Sequence, residues 1–141
     1  TATRRKSNMP AMHRVSCKVA LYSPDGRQVL LMRYPQLGPQ AYGLPGGHLE
    51  DGEEPDRAVL REIREELGVQ TDPKLMRTDF WRHDDGKIVL GYIGRHDLAL
   101  PASPDPDFEY AQWVSLADLA EGKINAGSYD SFVIRNQPRV E

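Results

Sequence analysis

An α+β domain, with helices packed on a mixed sheet, is the fold class this sequence predicts. Short segments of alternating apolar and polar residues occur both before and after one long amphipathic helix, several of them joined by tight turns. Neither strict strand–helix alternation nor an all-strand pattern fits that order, so helices covering a mixed sheet is the economical solution.

The elements follow in order. Residues 15–23 alternate apolar and polar, and Ser23-Pro24-Asp25-Gly26 is a turn signal. Arg27 to Arg33 then reads as the second arm of a hairpin. The stretch from Tyr34 to Gln40 holds Pro35, Pro39 and Gly38, and is expected to be a loop. Ala41 to Pro45 is a short extended piece running into a glycine-rich turn at Gly46-Gly47. The clearest helix follows. Pro55 suits its first turn, where a missing N–H costs nothing. Glu53, Glu54 and Asp56 complement the positive end of its dipole. Ala58, Val59, Ile63 and Leu67 form its apolar stripe, and Gly68 ends it as a left-handed cap. Leu75 to Arg82 and Lys87 to Arg95 read as two strands joined at Asp84-Asp85-Gly86. The prolines between Leu98 and Pro106 call for an irregular loop. Phe108 to Val114 is a last strand, Ser115 caps a short helix through Ala120, and Ser128 to Arg135 forms a final one.

A chain of 141 residues is the size of one ordinary domain. Residues 1–12 are expected to be a flexible basic tail and residues 13–141 a single domain. The lone cysteine, Cys17, cannot form an internal bridge, and its strand setting makes it a small buried thiol. No apolar run approaches the roughly 20 residues that span a bilayer, so no membrane association is expected. One free cysteine and the lack of an export signal favour the cytoplasm. A net charge of −3 argues against broad nucleic-acid binding, and no stable nucleic-acid complex is expected.

Chemistry concentrates between residues 47 and 69. Glu62, Glu65 and Glu66 stand at i, i+3 and i+4, so all three carboxylates leave one side of the helix. Arg61 can answer Glu65 across one turn but cannot neutralise all three. Alone, three glutamates are equally the mark of a solvated helix face. Their context is less neutral: eight acids crowd residues 50–66 against three arginines, behind Leu44-Pro45-Gly46-Gly47, whose glycines permit close backbone approach to a ligand. Carboxylates with a backbone carbonyl are hard oxygen donors that suit Mg²⁺ or Mn²⁺, and no Cys/His set has zinc spacing.

This segment resembles the Nudix box: Gly, five residues, Glu, seven residues, Arg-Glu, an aliphatic, any residue, Glu-Glu, any residue, Gly, an aliphatic. Gly47, Glu53, Arg61, Glu62, Ile63, Glu65, Glu66, Gly68 and Val69 fill it without departure. A chance match to its seven fixed identities is on the order of 10⁻⁸ per starting point. The resemblance implies an α/β/α sandwich with a mixed sheet, the box forming loop–helix–loop. It also implies Mg²⁺-dependent hydrolysis, with Mn²⁺ as substitute, of a diphosphate linkage in a nucleoside diphosphate derivative. By position, Glu62, Glu65, Glu66 and the Gly46 carbonyl would hold metal, Glu53 would be auxiliary to that shell, and Arg61 would orient Glu62. The general base would be Glu62 or Glu109.

Other residues carry weaker expectations. Arg33 could meet a phosphate or be a strand-end charge. His48 lies beside the metal turn, where a substrate contact is conceivable, and Trp81 is large enough to stack on a base. Trp113 suits core packing. Markers for dinucleoside polyphosphates, coenzyme A and ADP-ribose are absent after or before the box: Asp85 stands where the ADP-ribose subfamilies have proline. The Leu-Pro-Gly-Gly-His-Leu-Glu stretch resembles members acting on nucleoside triphosphates, so the expectation leans to a (d)NTP pyrophosphohydrolase, with an ADP-ribose or nucleotide-sugar pyrophosphatase as alternative. A non-catalytic nucleotide-binding module is the alternative of another class, though such modules often lose box glutamates. An isoprenyl diphosphate isomerase would want a cysteine near the site, for which Cys17 in an early strand is a poor candidate. A homodimer is possible, since many family members are dimers.

Overall fold

The computed structural model describes residues 14–34, 38, 41–69, 72–97 and 110–139. The basic tail, the loop from 98 to 106 and Glu109 lie outside the described residues. The order is β1 (Val15–Tyr22), β2 (Gln28–Arg33), β3 (Tyr42–Gly43), β4 (Gly46–His48), α1 (Pro55–Leu67), β5 (Met76–Arg82), β6 (Ile88–Arg95), β7 (Tyr110–Ser115), α2 (Leu116–Ala120) and α3 (Tyr129–Arg135). Element ends differ from the sequence expectation by a residue or two, as fraying ends do.

Local chemistry explains the boundaries. At the β1–β2 turn, Ser23 Oγ donates to Asp25 Oδ1 at 2.7 Å and the Arg27 N–H donates to the same oxygen at 2.9 Å. Pro55 occupies the first turn of α1, and Gly68 closes it with φ 65°, its N–H reaching the Arg64 carbonyl. Ser115 caps α2 by accepting the Asp118 N–H at 3.3 Å.

β1 is the hub of a mixed seven-stranded sheet. It runs parallel to β6 along its whole length, from Val15 opposite Ile88 to Tyr22 opposite Arg95. It meets β2 only at Tyr22 opposite Val29. At its other end Ser16, Cys17 and Lys18 pair with His48, Gly47 and Gly46 of β4. Residues 46–48 are therefore a strand wedged against β1, and the free turn expected there is corrected. The local signal of Gly-Gly is turn-like, but pairing with β1 some thirty residues away overrides it.

Alternation along β1 supplies both faces of the sheet. Cys17, Val19 and Leu21 join Ala58, Val59 and Ile63 of α1 in one buried cluster. Ala20 and Tyr22 join Leu116, Leu119, Phe132 and Val133 of α2 and α3 in the other. The result is an α/β/α sandwich. Burying an aliphatic side chain such as Ile63, 0% exposed, contributes about 1.5–3 kcal/mol. The Tyr22 hydroxyl fastens β1 to α3 by donating to the Val133 carbonyl at 2.6 Å. Gly91 lets α3 close in, because a Cβ there would lie 2.6 Å from Phe132 Cε1. Among the described residues no helix is long and apolar enough to cross a membrane.

Candidate functional site

The site is built where α1 meets β4. Glu62 and Glu66 stand one turn apart on α1, and β4 presents Gly46 and Gly47 to them. The Gly46 N–H donates to Glu66 Oε1 at 2.8 Å, a charge-assisted bond that fixes that carboxylate beside the strand. The Glu62 carboxylate fills the place a side chain would take at residue 47, since a Cβ there would lie 2.5 Å from Glu62 Oε1 and 2.7 Å from its Cδ. Gly46 is constrained from the other side. Its φ is 136° and a Cβ would lie 2.0 Å from the Cys17 carbonyl oxygen.

Arg61 gathers the acids. Its Nε donates to Glu53 Oε2 at 2.7 Å and its Nη2 to Glu53 Oε1 at 3.0 Å, a two-pronged pair. Its Nη1 donates to Glu62 Oε1 at 3.2 Å and to Glu65 Oε1 at 3.1 Å. Nη2 also reaches the His48 carbonyl at 3.3 Å. Glu53 in turn accepts the Glu50 N–H at 3.0 Å. The Arg61 hydrogen bonds, with help from that N–H, hold the Glu53 carboxyl down at about 2. The Glu53 pairing in turn raises the Arg61 guanidinium above its already high range.

The three helix glutamates thus take different stations. Glu62 is 15% exposed and lodged under Gly47, whereas Glu65 is 58% exposed and held by Arg61 at the rim. Among the described residues no three carboxylate, imidazole or thiol groups converge on one point as they stand. The donor set still fits a hard divalent cation: carboxylate oxygens flank two backbone glycines whose lack of Cβ leaves them approachable, and Glu62 and Glu66 are already held there.

Of the remaining sequence candidates, His48 is exposed at the end of β4, its Nδ1 2.8 Å from Ser16 Oγ. Burial, with the charges of Arg14, Lys87 and Lys18, pushes its imidazole below the usual range. Trp81 packs against Phe132 at 5.0 Å and against Tyr129 at 6.3 Å, so much of its ring already serves the second core. Arg33 is half-buried at the end of β2, opposite Tyr42 and Tyr110. Trp113 packs against the first cluster, as expected.

Two residues gain a place that sequence reasoning missed. Cys17 lies directly against the site, its thiol donating to the Gly47 carbonyl at 3.5 Å. It is nonetheless fully buried, and burial raises its pKa, which makes it a packing residue and no nucleophile. Lys18 is the second. It pairs with Gly46 in register but points to the opposite face from Cys17. Its Nζ donates to the Leu44 carbonyl at 3.3 Å and sits 5.9 Å from the Tyr129 ring centroid. Burial lowers its pKa, the nearby Glu66 opposing that and Lys87 adding to it. Its signal in the sequence was slight: Ser16 and Lys18 are the polar beats in an otherwise apolar strand.

Comparison with known proteins identifies the family of the chain. The NUDIX domain family model matches residues 12–133. The chain is similar to the NAD-capped RNA hydrolase NudC of Pseudomonas aeruginosa, 30% identical over 133 residues, covering 91% of this chain and 48% of that protein. It therefore spans about half the length of that curated relative. It is also similar to the RNA pyrophosphohydrolase of Gluconobacter oxydans, 29% identical over 126 residues, covering 75% of this chain and 74% of that one. Among solved structures, a MutT NUDIX hydrolase from Burkholderia pseudomallei superposes with TM-score 0.65 at 26% identity, covering 86% of this chain and 95% of that chain.

Proposed function

The chain belongs to the Nudix family, and on that premise we propose that it hydrolyses a diphosphate linkage in a nucleoside diphosphate derivative, using Mg²⁺ or, in its place, Mn²⁺. The observation that carries the reading is the meeting of α1 with β4: the Glu62 carboxylate occupies the space over Gly47 while Glu66 is tied to the Gly46 N–H at 2.8 Å. Glu62, Glu65, Glu66 and the Gly46 carbonyl would hold the cation. Bound there, it would polarise phosphoryl oxygens and lower the pKa of a coordinated water.

The chain's own residues do the rest. Without a cation, the polyanionic substrate and the acidic face of α1 repel each other. Arg61 keeps Glu62 in position through its 3.2 Å bond and is itself anchored by Glu53. Glu53 acts through Arg61, holding the carboxylates in order. Glu62 and Glu109 are the two candidates for accepting the proton of the attacking water.

For the substrate, the box lead-in supports a (d)NTP, with ADP-ribose or a nucleotide sugar as alternative. The relatives from P. aeruginosa and G. oxydans are named an NAD-capped RNA hydrolase and an RNA pyrophosphohydrolase, which adds RNA to the substrates to be tested. Retention of every box carboxylate supports an enzyme over a non-catalytic binding module. The test is a substrate panel of normal and oxidised (d)NTPs, ADP-ribose, nucleotide sugars, dinucleoside polyphosphates and 5′-triphosphate or NAD-capped RNA, with Mg²⁺ and then Mn²⁺, products read by mass. Wild type is expected to turn over one group, and Glu66→Gln to lose nearly all of that rate with its fold intact. A mutant that keeps most of its rate overturns the assignment.

A further inference from the structure

The face of the sheet opposite α1 carries a cation, Lys18, that no carboxylate among the described residues pairs with directly, although the charge of Glu66 acts on it. Parallel pairing of β1 with β6 sets Ser16 beside Val89 and Lys18 beside Gly91, and Gly91 points at Phe132 and Trp81 of the α3 side. Lys18 therefore stands on the α3 face, on the strand that also pairs with Gly46. Among the described residues its Nζ meets one carbonyl, that of Leu44, and one ring, that of Tyr129. No carboxylate among the described residues forms an ion pair with it, while Glu53, Glu62 and Glu65 are all bound to Arg61 on the other side of β4. A half-buried ammonium with one neutral acceptor has been stripped of water, and the carboxylates that act on it, Glu66 foremost, do so without an ion pair. It has N–H groups left for an incoming anion.

Its surroundings share that polarity. Lys87 is close enough for its charge to act on Lys18, and its own side chain is 17% exposed, its nearest carboxylate being Asp85 at 4.0 Å. Ser16 and His48 form a polar pair one step along the same face, 2.8 Å apart. The strand β4 thus divides an acidic side, suited to cations, from a basic side, suited to anions, only one strand's width away.

We infer that Lys18, with Lys87 beside it, forms an anion-binding subsite on the α3 face of the sheet that takes a phosphate group of the substrate, next to but separate from the carboxylate site on α1. This deepens the proposed hydrolase reading and rests on it for the identity of the ligand as a nucleoside diphosphate. Lys18 is a positioning residue here: it would hold the diphosphate so that the linkage to be split lies at Gly46 and Glu66.

The subsite can be read without catalysis. Binding of ADP to the full chain is measured by calorimetry in EDTA, where the carboxylate site contributes no cation. Lys18→Met is expected to weaken that binding by about tenfold or more, Lys18→Arg to restore most of it, and Lys87→Met to weaken it less. Glu66→Gln, which removes the negative charge acting on Lys18, is expected to tighten it. Thermal unfolding of each variant separates a lost contact from a lost fold. Equal ADP affinity in wild type and a folded Lys18→Met overturns the subsite, as does no binding by wild type in EDTA. If Lys18→Met does not fold, Lys18→Arg and Lys87→Met decide by the same readout. Failure of the hydrolase reading looks different: Lys18-dependent ADP binding with no turnover of any substrate in Mg²⁺. Where turnover is found, Lys18→Met is expected to raise KM more than it lowers kcat. An unchanged KM with a working enzyme overturns the subsite alone.

Discussion

Replacing Gly47 with alanine tests the active-site geometry with a single methyl group. The new Cβ would lie 2.5 Å from Glu62 Oε1, 2.7 Å from Cδ and 2.8 Å from Oε2. Unstrained contact needs roughly 3.5 Å, so the carboxylate must retreat by about 1 Å. The obstacle is the free end of a flexible side chain, and relaxation is therefore cheap for the fold. Alanine in place of glycine even favours an extended strand by about 0.5–1 kcal/mol through the unfolded chain. For catalysis the same shift is severe, because a misplacement of about 1 Å costs on the order of 10²-fold in rate, near 2.7 kcal/mol of barrier. Gly47→Ala should thus lose about a hundredfold in kcat and bind Mn²⁺ more weakly, while its Tm stays within a few degrees of wild type. Turnover on the best substrate, Mn²⁺ titration by electron paramagnetic resonance and thermal unfolding give the three readings. Wild-type turnover together with wild-type Mn²⁺ affinity refutes the idea that Glu62 must sit over Gly47. A collapse in Tm refutes the claim that only a side-chain end is in the way.

The neighbouring residue should behave oppositely. In Gly46→Ala the Cβ meets the Cys17 carbonyl oxygen at 2.0 Å with φ at 136°, and neither backbone can yield. A cost above about 3 kcal/mol is expected, seen as low soluble yield and a large drop in Tm, and a Tm near wild type would contradict the tight β1–β4 pairing. Arg61→Met removes the main cause of the depressed Glu53 pKa. Because Glu53 stands at about 2 in the folded protein against 4.5 as its ordinary value, its bond to Arg61 stabilises the fold fully above pH 4.5, and that contribution fades as pH falls toward 2. The Tm gap between wild type and Arg61→Met should therefore be widest near pH 6 and narrow steadily on acidification through that window. A gap independent of pH would show that the pair does not carry the linkage.

What could be read from the chain alone, and what could not, follows from range in sequence. The helix Pro55–Leu67 was legible because its proline, its apolar stripe and its terminal glycine are all local signals. Box residues Glu62 and Glu66 were legible because a fixed spacing places them on one helix face. Residues 46–48 were misread as a turn because their strand exists only through Cys17 and its neighbours. The same distance hid Cys17 and Lys18, one judged remote from the site and the other passed over, although strand pairing sets both beside its two glycines. Nor could spacing show that Arg61 binds Glu53 and Glu62 as well as Glu65. That triple pairing depends on how the chain before α1 folds back over it.

The strand β1 has a consequence for how this chain tolerates length changes. One residue inserted directly after Val15 would exchange the two faces for everything beyond it in β1, sending the Lys18 ammonium under α1 and the Cys17 thiol to the α3 side. The tip of the next turn, Pro24 and Asp25, carries no such alternation and is exposed, whereas the Arg27 carbonyl just after it already accepts the Leu116 N–H of α2 at 3.0 Å. Peptide tags or new chain ends placed at that tip should leave the protein functional, whereas single-codon indels a few positions earlier should be lethal to it. A deletion scan across residues 15–27 would draw that border at the first residue of the turn.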